Sequence, residues 1–207
     1  GRGMTGGTLY SIYRAASSAL TPLLRPYLKR RAVKGKEDPA RLDERFGHAD
    51  RPRPEGQLIW LHGASVGETL SALPLLRALL EANPDAHALF TSGTVTSAGL
   101  LAERLPKRAF HQFMPLDQPA AIKRFLEHWK PNLALWIESE LWPNTLEAIR
   151  EAGIPAALVN ARLSEKSFAQ WKRARGLSER MLSAFSLALA QTEETGQRLE
   201  ALGARGV

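Results

Sequence analysis

The 207-residue sequence contains no cysteine, which excludes disulfide bonds and any metal site built on thiolates. This absence is compatible with a reducing compartment such as the cytoplasm. The sequence also lacks an uninterrupted apolar run of membrane-spanning length, because its most apolar N-terminal stretch, 9–28, is broken by Arg14 and Pro22. We therefore do not expect this stretch to cross a bilayer.

Acidic residues are fewer than basic ones, 21 against 28, so the net charge of +7 attracts anionic partners. Six basic residues lie within twelve positions at the end of the apolar stretch: Arg25, Lys29, Arg30, Arg31, Lys34 and Lys36. This arrangement predicts that residues 1–36 form a helix at an anionic membrane surface with a basic collar, and that 37–207 form the domain. A helix docked on the domain is the alternative. No nucleic acid partner is expected, because the charge does not follow a recognition element.

Hydrophobic periodicity predicts alternating strands and helices after a proline-rich connector that contains a short helix over 40–46. The predicted strands cover 58–61, 86–91, 111–114, 133–137, 156–160 and 187–191. The predicted helices cover 68–80, 96–105, 119–129, 144–152, 178–184 and 193–202. This alternation is typical of an α/β domain, a Rossmann-like parallel sheet with helices on both faces. The chain ends directly after a helix, so we expect it to be the first half of a longer protein.

The first predicted strand runs into His62-Gly63-Ala64-Ser65-Val66-Gly67-Glu68. Ligands of parallel sheets bind at such strand ends, where glycines admit a ligand and a helix N-terminus attracts anions. The third glycine of a dinucleotide-binding motif is absent. Glu68 has two interpretations: a residue of the first helical turn, stabilised by the helix dipole, or a general base for a substrate hydroxyl.

The same segment matches the G-x-S-x-G pattern of serine hydrolases, with Ser65 as the nucleophile. A hydrolase also needs a downstream acid and histidine, and none of His87, His111 and His128 clearly follows a late strand. An esterase that uses Ser65 is therefore the alternative function.

A second polar segment follows the strand predicted over 133–137. It contains Glu138, Glu140, Trp142 and Asn144. If the chain is still extended there, the two carboxylates point to opposite sides and one of them reaches a shared cleft. The alternative is an ordinary helix start, with Asn144 as the cap and Trp142 packed inward.

Five segments in this order resemble the successive sequence blocks of bacterial Kdo (3-deoxy-manno-octulosonic acid) transferases. They are residues 44–47, 62–68, 138–144, 160–164 and 191–194. The resemblance implies a GT-B glycosyltransferase, in which two Rossmann-like domains face a cleft. It matches this chain to the N-terminal domain, which receives the lipid A precursor (lipid IVA), whereas a C-terminal domain holds CMP-Kdo. We expect this half alone to be inactive.

The resemblance also implies residue roles and a location. Glu68 corresponds to the catalytic base of an inverting transfer, and Glu138 to an acid that assists the transition state. Substrate-binding positions are His62, Gly63, Ser65, Gly67, Glu140, Asn160 and Arg162. No cofactor and no metal are expected. The expected location is the cytoplasmic face of the inner membrane, with peripheral or N-terminal attachment.

Overall fold

The computed structural model describes residues 5–137 and 140–207. Its centre is a six-stranded parallel sheet of order β3-β2-β1-β4-β5-β6. The strands are β1 (Leu58–His62), β2 (His87–Ser92), β3 (Ala109–Phe113), β4 (Leu133–Ile137), β5 (Ala156–Ala161) and β6 (Leu187–Ala190). The predicted Rossmann-like parallel sheet is confirmed. Strand order reverses between β1 and β4, the position at which this class of fold binds ligands.

Helices connect the strands and cover the sheet. They are α1 (Gly6–Ala19), α2 (Thr21–Val33), α3 (Val66–Ala82), α4 (Val95–Arg104), α5 (Pro119–Trp129), α6 (Pro143–Glu151), α7 (Glu165–Arg173), α8 (Arg175–Leu182) and α9 (Glu193–Ala201). Sequence periodicity missed α7, a short helix that packs on the core through only two large apolar side chains, Phe168 and Trp171, both of them partly buried.

The two faces of the sheet bury separate hydrophobic clusters. Side chains alternate along β1, so Leu58 and Trp60 join one cluster while Ile59 and Leu61 join the other. The first cluster is rich in aromatic rings, and the centroid of the Trp60 ring lies 4.9 Å from that of Phe125. In the two central strands, β1 and β4, both faces are apolar, and polar side chains come only where the strands end.

The apolar stretch 9–28 forms two helices instead of one. Leu20 ends α1 and begins α2, because Pro22 has no backbone N–H with which to continue the first helix. Helix α1 packs on α8 so closely that a Cβ on Gly6 would lie 2.2 Å from the carbonyl oxygen of Gly176. Within the described residues, no helix combines the length and apolar character needed to cross a membrane.

Helix α2 is less covered than α1 and exposes apolar side chains. Leu23 is 64% exposed and Tyr27 is 53% exposed. Two members of the basic cluster pair with acids, since Arg25 contacts Asp43 at 3.2 Å and Arg31 contacts Glu37 at 3.1 Å. The exposed face of α2 therefore combines apolar and basic side chains.

The connector after α2 forms the predicted short helix, a 3₁₀ segment over Pro39–Phe46. Buried Glu44 joins it to β3, because its carboxylate accepts hydrogen bonds from Arg41 (2.5 and 2.6 Å) and from the Phe113 amide (3.0 Å). Gly47 ends the segment with a φ of 85° and would collide with Ala121 if it carried a Cβ. These contacts hold the connector against the sheet.

His111 should make stability depend on pH. Its Nδ1 lies 3.0 Å from Arg41 Nη2 and its Nε2 lies 2.8 Å from Ser92 Oγ. Burial, together with the charge of Arg41, lowers the pKa of His111 from 6.5 to about 3.

Between these two pKa values the unfolded chain binds a proton that the folded chain does not, so the free energy of unfolding falls as the pH decreases from 6.5. We expect His111→Gln to flatten this slope by at most about 1.4 kcal/mol per pH unit in urea unfolding. Equal slopes in the two proteins would contradict this assignment.

Candidate functional site

The two polar segments found in the sequence meet at the carboxyl edge of the sheet, because β1 and β4 are neighbours. A cavity of about 500 Å³ opens there, between the strand ends and the N-terminal helices. Its lining includes Tyr13, Leu20, Arg45, Ala64, Glu140 and Trp142. The structure thus adds the N-terminal helices to the site predicted at the strand ends.

Glu68 lies in the first turn of α3, as predicted, and forms a capping box with Ser65. Glu68 Oε2 accepts hydrogen bonds from the amides of Ala64 (2.5 Å) and Ser65 (3.3 Å), while Ser65 Oγ accepts one from the Glu68 amide (3.4 Å). Glu68 is 8% exposed. Its carboxylate is therefore held beside Ala64, which lines the cavity.

The geometry of Ser65 disfavours the hydrolase hypothesis. A nucleophile elbow strains its serine, whereas Ser65 has an ordinary extended backbone with φ −119° and ψ 171°. Its hydroxyl caps α3, and the ring of the nearest histidine in sequence, His62, faces Thr91 and Glu140 instead.

The two glycines of this segment differ in their surroundings. A Cβ at Gly63 would lie 3.3 Å from the Thr69 amide nitrogen, so Gly63 allows the close approach of β1 and α3. A Cβ at Gly67 would meet no atom within 4 Å. Packing therefore accounts for Gly63 but not for Gly67.

His62 is fully buried behind the cavity wall. Its Nδ1 lies 2.8 Å from Thr91 Oγ1, and its Nε2 lies 3.7 Å from Glu140 Oε1, which is longer than a hydrogen bond. Among the described residues, Nε2 has no hydrogen-bond partner. His62 therefore approaches the cavity only through Glu140.

Glu140 is a half-buried carboxylate in the cavity wall. Trp142 Nε1 donates a hydrogen bond to its Oε1, and Trp136 Nε1 donates one to its backbone carbonyl. Burial raises the pKa of Glu140, but interactions with His62, Trp142 and Arg45 outweigh this effect and lower the pKa below its ordinary value. Glu140 is therefore a fixed, ionised hydrogen-bond acceptor.

The ordinary helix start considered for the second segment is wrong in two respects. Trp142 does not pack inward, since it is 39% exposed at the cavity. Asn144 does not cap α6 either, because its Oδ1 accepts a hydrogen bond from Tyr10 in α1. Glu138, predicted to assist the transition state, lies outside the described residues.

Asp117, which the sequence did not single out, caps α6. Its carboxylate accepts hydrogen bonds from the amides of Asn144 (3.0 Å) and Thr145 (2.8 Å) and from the Thr145 hydroxyl (2.7 Å). It also accepts one from the Tyr13 hydroxyl at 2.7 Å. Burial and Asp117 raise the pKa of Tyr13, which keeps this hydroxyl a donor. Asp117 thus joins α1, one wall of the cavity, to α6.

Arg45 is a second residue of the cavity wall that sequence reasoning missed. It donates a hydrogen bond to the Met114 carbonyl, and its Nε lies 3.5 Å from Glu37. Burial lowers the pKa of Arg45, although nearby Glu37 opposes this effect. Glu37, which is 4% exposed, also pairs with Arg31, so it holds two arginines beside the cavity.

Asn160 and Arg162 lie at the end of β5, one strand beyond β4, and are exposed. Asn160 has a positive φ of 51°, and its carbonyl accepts a hydrogen bond from Gln191. Neither residue is part of the cavity lining. Their substrate-binding role stays a prediction, as do the roles assigned to the other site residues.

The described residues contain no group of three or more histidine, aspartate or glutamate side chains placed to hold a metal ion. The expectation that the reaction uses neither metal nor cofactor stays a prediction.

Comparison with known proteins decides the family. A family model described as 3-deoxy-D-manno-octulosonic-acid transferase (kdotransferase) matches residues 40–207. The chain belongs to this family. The resemblance found in the sequence is therefore confirmed, and the parallel sheet described above is a domain of the Kdo transferase family.

Curated relatives agree with the Kdo transferase family. The chain is 41% identical over 201 residues to a probable mitochondrial 3-deoxy-D-manno-octulosonic acid transferase of Arabidopsis thaliana, covering 96% of the chain and 45% of that relative. It is 40% identical over 193 residues to the 3-deoxy-D-manno-octulosonic acid transferase of Rickettsia bellii, covering 93% of the chain and 46% of that relative. For the Haemophilus influenzae protein of the same name, the identity is 35% over 185 residues, covering 88% of the chain and 43% of that relative. The chain thus spans a little under half the length of these relatives.

Asp117 should be important for stability of this Kdo transferase domain. Asp117→Ala removes the acceptor of four hydrogen bonds, so we expect the free energy of unfolding to fall by about 3 kcal/mol in urea titrations. Tyr13→Phe removes one of the four and should cost about 1 kcal/mol. If both variants unfold like the wild type, Asp117 does not join α1 to the domain.

Proposed function

We propose that this chain is the acceptor-binding half of a Kdo transferase, which transfers Kdo from CMP-Kdo to a lipid A precursor (lipid IVA) in lipopolysaccharide biosynthesis. The observation that carries the proposal is the cavity at the carboxyl edge of the sheet, where apolar helices and fixed carboxylates meet. Family membership supports the reaction type. Because the chain spans under half of its relatives' length, we assign CMP-Kdo binding to a second domain.

The cavity suits an acceptor that is apolar at one end and hydroxylated at the other. Its helical wall presents Ala16, Leu20 and Leu24, which can contact acyl chains. Its opposite wall presents Ala64 and the carboxylate of Glu140, which can accept hydrogen bonds from sugar hydroxyls. A lipid A precursor has both parts.

In the proposed reaction, Glu68 acts as the general base. It takes the proton of the attacking acceptor hydroxyl while that oxygen bonds to the anomeric carbon of Kdo. The bond from this carbon to the CMP phosphate oxygen breaks, CMP leaves with the electron pair, and the configuration inverts. A positioned base contributes about 10²- to 10⁴-fold to such a step. Glu138 is assigned the assisting acid on family resemblance alone.

We also propose peripheral attachment to the cytoplasmic face of the inner membrane through α2. The exposed Leu23 and Tyr27 would enter the interface, and the basic cluster would contact anionic headgroups. This orientation would bring the cavity, whose wall includes Leu24 of the same helix, close to the acceptor's membrane.

Glu68→Gln tests the base, because glutamine keeps an oxygen that can accept from the Ala64 and Ser65 amides but does not take up a proton. In full-length protein, we expect Kdo transfer from CMP-Kdo to lipid IVA to fall about 10²- to 10⁴-fold. The melting temperature should stay close to that of the wild type.

Ser65→Ala is the matched control for Glu68→Gln. It removes the cap of α3 and a predicted substrate-binding hydroxyl, which should cost about 1 kcal/mol of stability and lower transfer much less than Glu68→Gln does. If Ser65→Ala abolishes turnover and Glu68→Gln does not, the assignment of Glu68 as the base is wrong. That result would favour the alternative hypothesis of a serine hydrolase with Ser65 as the nucleophile. A wild-type protein without transfer activity refutes the proposed reaction itself.

Membrane attachment predicts that the double variant Lys29→Gln/Arg30→Gln binds anionic lipid vesicles more weakly. Each charge near the surface contributes about 1 kcal/mol, so we expect roughly 30-fold weaker binding in vesicle sedimentation at physiological salt. The control is Lys107→Gln/Lys166→Gln, which removes the same charge from exposed positions outside α2. Equal losses in both variants would indicate attraction by net charge alone.

A further inference from the structure

His62 has an unusual position for a titratable side chain. It is fully buried, yet its Nε2 has no hydrogen-bond partner among the described residues and faces Glu140 Oε1 at 3.7 Å. A buried polar atom without a partner is costly, and such atoms collect at functional sites. Hydrogen bonds at such sites are often long without a ligand and shorten when one binds.

The contacts of both ring nitrogens together determine which nitrogen of His62 carries the proton. Trp60 Nε1 can only donate, so Thr91 Oγ1 accepts from it at 2.9 Å. The single hydroxyl proton of Thr91 can then go to His62 Nδ1 at 2.8 Å or to the Leu61 carbonyl at 3.5 Å. The 2.8 Å contact is a hydrogen bond for either tautomer of His62, since Oγ1 could also accept from an Nδ1–H. The other ring nitrogen decides between the two, because Nε2 faces the ionised Glu140 carboxylate, which attracts an N–H and repels a bare nitrogen lone pair. Nε2 therefore carries the proton, and Nδ1 accepts from Thr91.

The Glu140 carboxylate is placed to accept a hydrogen bond from this Nε2–H. Trp142 already donates to Oε1, and the Nε2–H of His62 approaches the same oxygen. Within residues 5–137 and 140–207, no donor is within hydrogen-bond distance of the other oxygen, Oε2. Because the carboxylate lines the cavity, Oε2 is available to a ligand hydroxyl.

We propose that His62 is a positioning residue, whose Nε2 proton fixes the Glu140 carboxylate as the acceptor for a sugar hydroxyl in the cavity. On the other side of the ring, Nδ1 accepts from the Thr91 hydroxyl, which in turn accepts from Trp60 Nε1. The inference rests on the proposed function for its ligand, a hydroxylated acceptor, but the tautomer depends only on the contacts described here. It also explains why a residue of the first polar segment contributes to the site without lining the cavity.

A purely structural role is the competing explanation, because the His62 ring also packs against Trp136 with centroids 4.7 Å apart. The variants His62→Leu and His62→Gln separate the two roles. Leucine fills similar space without a donor, whereas the glutamine amide can place an N–H near the position of Nε2.

In full-length protein, we expect His62→Leu to lower kcat/KM for the lipid acceptor about 10- to 100-fold, the range for losing a hydrogen bond to a charged group. His62→Gln should recover most of this loss, and KM for CMP-Kdo should stay unchanged in both. Wild-type kcat/KM in His62→Leu, or equal losses in the two variants, would overturn the positioning role.

The second measurement uses ¹⁵N NMR of the histidine rings in the wild-type protein at neutral pH, so it does not depend on a variant's folding or on activity. We expect His62, among five histidines, to show a protonated Nε2 and an unprotonated Nδ1. Glu140→Gln should shift the Nε2 resonance, and Lys107→Gln should leave it unchanged. A proton on Nδ1, or no response to Glu140→Gln, overturns the proposal. If the wild type transfers no Kdo but the expected tautomer is present, the proposed function fails while the His62–Glu140 contact stands.

Discussion

Burial of both faces of the two central strands, β1 and β4, leaves their polar side chains at the edge where these strands end. The Trp60 side of β1 packs in an aromatic-rich cluster and the Leu61 side in a largely aliphatic one, so these two faces of β1 are apolar. His62 is the last residue of β1 and Glu140 follows β4, its neighbour in the sheet. The two side chains meet because the strand order reverses there.

The N-terminal helices turn this edge into an enclosed site. Without α1 and α2 the strand ends would form an open surface, whereas with them they form a cavity with an apolar wall. Asp117 holds α1 through Tyr13 and caps α6 with the same carboxylate, so the wall and the strand ends are fixed by one group. Helix α2, through which we propose membrane attachment, therefore also lines the proposed acceptor site.

Several charged groups around the cavity are buried or half-buried and interact with one another. Glu37 pairs with Arg31 and approaches Arg45, while Glu140 lies near Arg45 and His62. Buried ion pairs contribute little net stability, because desolvation offsets their attraction. They do keep charges in fixed orientations without solvent reorganisation, which is what a site needs to bind and orient a polar substrate.

The sequence determined the parallel sheet, the six strands and the place of Glu68 in a first helical turn, because periodicity and helix-start signals are local. It did not predict α7, a short helix whose only large apolar side chains, Phe168 and Trp171, are partly buried. Only the tertiary structure decided that Asp117 caps a helix 26 residues further on, that Arg45 lines the cavity and that His62 stands behind Glu140. Such contacts join residues distant in the chain, and their distances depend on how the helices and strands pack, which local sequence patterns do not encode.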